Sequence, residues 1–162
     1  MELKFRREDE SNKKVVELLR EVPIFYEMDG KAIESLLDQA SEETFPAKSA
    51  IVEDGSYLAD LYIILSGRVE VRKKGKVIAK LGKGQFFGEM AFLNDEPTGR
   101  SADIVAVGET KCLKIKGPLW YAFLRKNPDV AIEVIRTLAR RLRNTNWTLS
   151  ELQNLPSTTP EK

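Results

Sequence analysis

The apolar residues near the N-terminus recur at the spacing of helical turns. Two groups show this pattern, residues 15–19 and residues 33–40, and Pro23 lies between them. A proline disfavours helix in the residue before it, so the first helix should end there. The pattern predicts N-terminal helices over residues 14–43.

The pattern changes in the middle of the chain. From about residue 44 to residue 116, short apolar or alternating runs are separated by Gly, Pro and Asp. Two of the clearest turn signals are Asp54-Gly55 and Ser66-Gly67. Many short strands at this spacing indicate a sandwich, a jelly roll or a barrel.

Helical periodicity returns at residue 117. Asn127, Pro128 and Asp129 are typical of a helix start, because they suit the N-cap, the first helical position and the positive end of the helix dipole. We therefore predict C-terminal helices over residues 117–155. Together with the preceding segments they form one domain over residues 1–155, and residues 156–162 form a polar tail.

The last predicted helix carries an apolar heptad repeat. The residues of this seam are Ala131, Ile135, Leu138, Leu142, Thr145, Leu149 and Leu152. We expect its first half to pack on the domain and its second half to pack on a second copy, giving a homodimer. Four arginines on the same helix, 136, 140, 141 and 143, are interpreted as a solvated face, because no aromatic residue alternates with them as single-strand nucleic-acid binding would favour.

The composition of the chain restricts its possible partners and its location. The net charge of +1 gives no reason to expect nucleic acid or a membrane as partner. No apolar run approaches the length of a membrane span and residues 1–7 are too charged for a signal peptide, so a cytoplasmic protein is expected. The single cysteine, Cys112, lies in a strand-like alternation and is expected to be a buried small hydrophobe.

Histidine is absent from the chain. Its absence argues against a His-rich metal centre, such as that of a metal-dependent cupin, and against Ser–His or Cys–His nucleophile pairs. We therefore expect a binding protein without a metal or a catalytic residue.

Residues 86–102 carry the most distinctive chemistry. Gly88 allows close approach of the backbone to a ligand, and residues 89–93 can form one helical turn that suits an anion. Arg100 presents a fork of donors suited to phosphate, whereas Glu89 would repel phosphate and could instead accept a hydrogen bond from a ribose hydroxyl. An ordinary Glu–Arg ion pair at the end of a strand explains the two residues equally well.

Residues 87–93, Phe-Gly-Glu-Met-Ala-Phe-Leu, followed by Arg-Ser-Ala at residues 100–102, resemble the phosphate-binding cassette of cyclic-nucleotide-binding domains. Residues 61–71 resemble the central hairpin of that family, and the resemblance extends over residues 14–152. It implies a mainly β fold, an eight-stranded β-roll of jelly-roll type with N-terminal helices and a long C-terminal helix. It also implies a sensor of cAMP or cGMP that is not an enzyme and needs no other cofactor.

The resemblance assigns roles in the cassette. Arg100 would pair with the cyclic phosphate, Glu89 would accept from the ribose 2′-hydroxyl, and the backbone at Gly88 and Ala91 would lie against the sugar-phosphate, with Ser101 at the phosphate. By similarity to catabolite activator proteins, the long helix would supply the contacts to the base. The ligand-binding residues implied are Phe87, Gly88, Glu89, Met90, Ala91, Arg100, Ser101, Ala102, Thr145 and Asn146.

The sequence departs from the family pattern in two places. Thr98-Gly99 separates Pro97 from Arg100, and Asp103 stands where a neutral residue is common. These differences support an alternative, a degenerate domain that acts as a ligand-independent interaction or dimerisation module. Since no helix-turn-helix follows the long helix in this sequence, a transcription factor that acts unaided is not expected, and an effector protein is a candidate partner.

Overall fold

The computed structural model describes residues 10–55, 60–89, 93 and 101–153 of the chain. The N-terminal part contains helix α1 (Glu10–Arg20), a 3₁₀ helix (Pro23–Phe25) and helix α2 (Gly30–Leu37). Asp29 caps α2, because its Oδ1 accepts a hydrogen bond of 2.8 Å from the Ala32 amide.

The middle of the chain forms a β-roll of two four-stranded antiparallel sheets. Its described strands are β1 (Ala40–Phe45), β2 (Ala50–Val52), β3 (Asp60–Ser66), β4 (Arg68–Lys73), β5 (Lys76–Gly82), β6 (Phe86–Phe87), β7 (Asp103–Ala106) and β8 (Thr110–Lys116). One sheet has the order β1-β8-β3-β6 and the other the order β2-β7-β4-β5. The predicted fold class, an eight-stranded β-roll flanked by helices, is confirmed.

One predicted boundary was wrong. The N-terminal helices were expected to extend to residue 43, but β1 begins at Ala40. The reason is a cross-strand partner: Glu42 and Glu43 form ion pairs with Lys111 at 2.9 Å and Lys114 at 3.1 Å on β8. Ala40, which extended the helical pattern, is buried opposite Ile115.

Strand β3 is buried on both faces, which explains its unbroken apolar run. Leu61 and Ile63 belong to a core shared with the N- and C-terminal helices. Tyr62 and Ile64 belong to a second core that also contains residues of the other sheet. Cys112 lies in this second core, where burial, assisted by the charge of Glu43, raises the pKa of its thiol to about 12. The prediction of a buried small hydrophobe is therefore confirmed.

Two helices follow the roll, α3 (Gly117–Lys126) and α4 (Pro128–Gln153). The first half of α4 packs on the domain through Val130 and Val134, which are buried in the core shared by the helices. The seam was expected to provide this contact, but its residue Ile135 is 64% exposed, because the buried face of α4 has another phase. From residue 142 to residue 151 every side chain of α4 is exposed. Among the described residues, no helix is both long and apolar enough to span a membrane.

Candidate functional site

Strand β6 forms the fixed base of the site. It pairs with β3, with Phe87 opposite Tyr62 and Phe86 opposite Ile63. The rings of Phe87 and Tyr62 stack, with centroids 5.1 Å apart and planes 9° from parallel. Since Phe86 and Phe87 are both almost fully buried, the backbone that enters the site is held from both faces of its sheet.

The chain turns sharply after β6. Gly88 has a φ of 95°, a backbone conformation that favours glycine. The Leu93 amide then donates to the Glu89 carbonyl at 3.2 Å. This is the spacing of one α-helical turn, as the sequence predicts for residues 89–93.

Arg141 of helix α4 forms hydrogen bonds with this turn. Its Nη1 donates to Glu89 Oε1 at 3.3 Å and its Nη2 donates to the Phe86 carbonyl at 2.6 Å. The guanidinium carbon also lies 4.7 Å from the centroid of the Phe86 ring. One side chain of α4 therefore contacts the carboxylate, the backbone and an aromatic ring of the site.

The pair is largely shielded from water. Glu89 is 5% exposed, and burial lowers the pKa of the Arg141 guanidinium, while the charge of Glu89 raises it and that of Arg140 lowers it. The buried Nε of Arg141 has no hydrogen-bond partner in the part of the chain that the structure describes. The site thus combines a buried carboxylate acceptor with guanidinium donors, which suits a ligand that carries both hydroxyl and anionic groups.

Sequence reasoning missed Arg141, which was interpreted as part of a solvated arginine face. The signal that could have identified it is the phase of the helix. Val130, Val134, Leu138 and Arg141 follow one another at spacings of 4, 4 and 3 residues, which places all four on the face that packs on the domain. Thr145 follows Arg141 by one turn, and its hydroxyl donates to the Arg141 carbonyl at 3.0 Å.

The other predicted residues have different locations. The structure brings Gly88 and Glu89 together with α4, and Thr145 and Asn146 are exposed on α4 beyond Arg141. Ser101 is exposed, and Ala102 is buried next to β7. The predicted residues Met90, Ala91 and Arg100 lie outside the described residues, so their roles stay predictions.

Asp103 is one of the two departures from the family pattern. In the structure its Oδ1 accepts a hydrogen bond of 2.7 Å from the Asp54 amide. The Asp54 carboxylate in turn pairs with Lys73 at 2.7 Å. Asp103 therefore stabilises the turn after β2, and this network accounts for a carboxylate at that position.

Comparison with known proteins identifies chains with similar sequences and a similar fold. The CRP-like cAMP-activated global transcriptional regulator of Mycobacterium tuberculosis is 26% identical over 141 residues, which are 84% of this chain and 62% of that protein. The chain thus spans less than two thirds of this relative. The catabolite activator protein of Thermus thermophilus has a TM-score of 0.68 and 31% identity, covering 81% of this chain and 63% of that chain. A cAMP-bound PfPKA-R has a TM-score of 0.71 and 26% identity, covering 87% of this chain and 47% of that chain.

The first relative is named as a regulator, which agrees with the expectation of a binding module and not an enzyme. The family model described as "Cyclic nucleotide-binding domain" matches residues 42–127. That match takes in the β-roll, the turn at Gly88 and the buried carboxylate of Glu89. The chain therefore belongs to the cyclic nucleotide-binding domain family.

Proposed function

We propose that this chain is a regulatory sensor that binds a cyclic nucleotide and transmits binding through α4. The observation that carries the proposal is the buried Glu89 at the Gly88 turn, held by Arg141 of α4. The carboxylate of Glu89 can accept a hydrogen bond either from Arg141 of α4 or from a ribose hydroxyl. Ligand binding at the turn would therefore act directly on the helix.

The charges of the site suit a cyclic phosphodiester. Glu89 alone would repel phosphate, but Arg141 at 3.3 Å offsets its negative charge. We assign the phosphate to Arg100 and Ser101 and the ribose 2′-hydroxyl to Glu89. The base would lie towards the exposed Thr145 and its neighbour on α4. The relatives whose names specify cAMP favour cAMP over cGMP as the ligand.

Transmission would use the two halves of α4. The first half is packed on the domain and fastened at Arg141, whereas the second half is exposed. A nucleotide that binds one position of α4 more tightly than another shifts the equilibrium between them. The junction at Asn127-Pro128 is the proposed hinge.

The exposed residues of the seam, which begin in the first half of α4, would also form a homodimer. Ile135, Leu142 and Leu149 recur every seven residues and are 64%, 61% and 52% exposed. A stripe with this period is suited to a parallel two-helix contact with a second copy. The nucleotide could then change the geometry of the dimer and the surface offered to an effector protein.

The test is calorimetric titration with cAMP and, separately, with cGMP. We expect a dissociation constant in the micromolar range or tighter, equivalent to about 8 kcal/mol or more. Arg100→Ala should weaken binding by roughly 2–5 kcal/mol, because it leaves the phosphate without its charged partner. Arg140→Ala is the matched control, since this exposed arginine on α4 donates only to the Thr137 hydroxyl within the described chain and should not affect affinity.

Two outcomes would contradict the proposal. If Arg100→Ala binds like wild type, the phosphate contact is assigned to the wrong residue. If neither nucleotide gives heat or a thermal shift, the chain is a ligand-independent interaction module. In that case the hydrogen bond between Arg141 and Glu89 takes the place of a ligand contact.

A further inference from the structure

Helix α4 has a second regular face, on the side roughly opposite the apolar seam. Its residues are separated by 4, 3, 4, 3 and 4 positions, so they form one line along the helix. We call this line the outer strip: Asp129, Glu133, Arg136, Arg140, Arg143 and Trp147. Trp147 is 67% exposed, the highest value among the large exposed hydrophobic residues described. Neither the nucleotide site nor the seam explains this exposed indole.

The outer strip is polarised in charge. Its N-terminal end carries Asp129 and Glu133, whereas residues 134–150 contain no aspartate or glutamate. Arg136 pairs with Glu133 at the boundary between the two ends. Arg143 makes no ion pair with any residue that the structure describes. One end of the strip is therefore acidic, and the other carries arginines whose charge is not compensated there.

A cleft lies beside the acidic end, between α4 and the 3₁₀ helix. It has a volume of about 210 Å³ and is lined by Ile24, Glu27, Met28, Asp129, Val130, Ile132, Glu133 and Arg136. Half of the lining residues are apolar, and the others are three carboxylates and one arginine. An indole has a large apolar ring and one N–H donor, so it suits a cleft that offers both apolar side chains and carboxylate acceptors.

We propose that the outer strips of two copies of this chain pack antiparallel, each inserting Trp147 into the cleft of the other. An antiparallel alignment that sets Trp147 opposite Asp129 also sets Arg143 opposite Glu133. It also sets Arg140 opposite Arg136, two like charges, but Arg136 lies beside the carboxylates of the cleft, so the acidic end as a whole keeps a net negative charge. Because the contact is two-fold symmetric, each favourable pairing occurs twice.

The charges favour a second copy over other occupants. A long polyanion such as nucleic acid would be repelled by the carboxylates of Glu27, Asp129 and Glu133, which lie at one end of the strip. A membrane surface would have to bury Trp147 and the seam leucines, which point to roughly opposite sides of the helix. Only a partner whose charges run in the opposite order complements both ends of the strip. A second copy of this chain, packed antiparallel, presents its charges in that order.

The outer strip and the seam can be occupied at the same time, since they lie on different faces of α4. The chain would then assemble beyond a dimer. A contact of one helix face and one cleft is small, so the association should be weak and sensitive to salt.

The experiment measures self-association by sedimentation velocity, with the full chain carrying Leu142→Lys so that the seam does not contribute. An acidic variant combines Arg140→Glu with Arg143→Glu, and a basic variant combines Glu27→Lys with Asp129→Lys. Each variant alone should associate more weakly than the parent by at least about tenfold, because the outer strips of two copies of the same variant repel each other. An equal mixture of the two should regain the affinity of the parent, because each end of a strip then faces an end of opposite net charge. That recovery would also show that neither variant is misfolded.

Trp147 provides a second readout. Trp120 is fully buried whereas Trp147 is exposed, so protection of the exposed indole from iodide quenching should increase with protein concentration. The acidic variant, which keeps Trp147, should abolish that increase, and the paired reversal Lys74→Glu with Lys76→Glu, in the exposed β4–β5 hairpin, should leave it unchanged. Failure of the mixture to associate, or quenching that is independent of concentration up to the millimolar range, would overturn the proposal.

Discussion

At the scale of single residues, the contact between Glu89 and Arg141 decides how the site and the helix are joined. The guanidinium bonds a carboxylate at 3.3 Å and a carbonyl at 2.6 Å, and it lies over the Phe86 ring. A lysine could not form all three contacts, because it has no planar fork of donors. The side chain therefore contributes both to the stability of the domain and to the position of α4.

Replacing Arg141 should reveal that contribution. Arg141→Ala removes donors from two buried acceptors, so the free energy of unfolding should fall by about 1–3 kcal/mol. Arg140→Ala, one residue earlier and exposed, should change it by less than about 0.5 kcal/mol. Urea denaturation of both variants tests the difference. Equal stabilities would mean that Arg141 does not hold the helix.

The residues of the turn after β6 were predicted from the sequence, whereas Arg141 was not. Gly88 and Glu89 belong to a local pattern whose order alone indicates a tight turn next to an acceptor. Arg141 is one of four arginines on the same helix, and composition does not show which of them faces inward. The spacing of the two valines and Arg141 indicates one inward face of α4 and the heptad seam indicates another, and the burial of Val130 and Val134 decides between them.

At the scale of elements, the connection between β3 and β4 is a tightly constrained turn. Gly67 has a φ of 88°, and a Cβ atom there would lie 2.6 Å from the Glu109 carbonyl oxygen and 2.8 Å from the Thr110 Cα. Thr110 cannot move easily, since it is fully buried and its hydroxyl donates to the carbonyls of Arg68 and Gly108. The clash would therefore be with backbone that is itself held in place.

Gly67→Ala should consequently destabilise the domain much more than the same change at a similar turn. We expect a loss of roughly 3–5 kcal/mol, the sum of the left-handed backbone strain and the overpacking. Gly75 is the control, because its φ is 75° and a Cβ atom there would meet nothing within 4 Å. Gly75→Ala should cost only the strain, about 1–2 kcal/mol. Thermal denaturation would contradict the argument if both variants melted together.

The boundaries of the elements show where the local sequence pattern is no longer sufficient to predict the structure. The apolar runs of β3 and β8 and their flanking turns were predictable, because they depend on residues close in sequence. Strand β1 was not, since Ser41, Glu42 and Glu43 resemble the end of a helix until their partners on β8 are known. A strand whose stabilising contacts come from about 70 residues away cannot be recognised from its own composition.

At the scale of the whole molecule, the exposed half of α4 determines how copies of the chain meet. Leu142 is 61% exposed and lies midway along the seam, so Leu142→Lys would place a charge at the centre of the proposed dimer. We expect this change to convert the dimer to a monomer without altering the melting temperature of the domain. Light scattering in high salt is the appropriate measurement, because salt screens the ion pairs of the outer strip and leaves the apolar seam.

The matched control is Ile78→Lys on β5. Ile78 is also 61% exposed, but it lies in the sheet β2-β7-β4-β5 and not on α4. If both variants keep the mass of wild type, the seam is a solvated surface and α4 transmits the signal within a single copy. If Leu142→Lys alone becomes monomeric, the helix that contacts Glu89 is also the helix that joins two copies. Nucleotide binding and dimer geometry would then be coupled through one continuous element, and saturating nucleotide should shift the dimerisation constant of wild type but leave the Leu142→Lys chain monomeric.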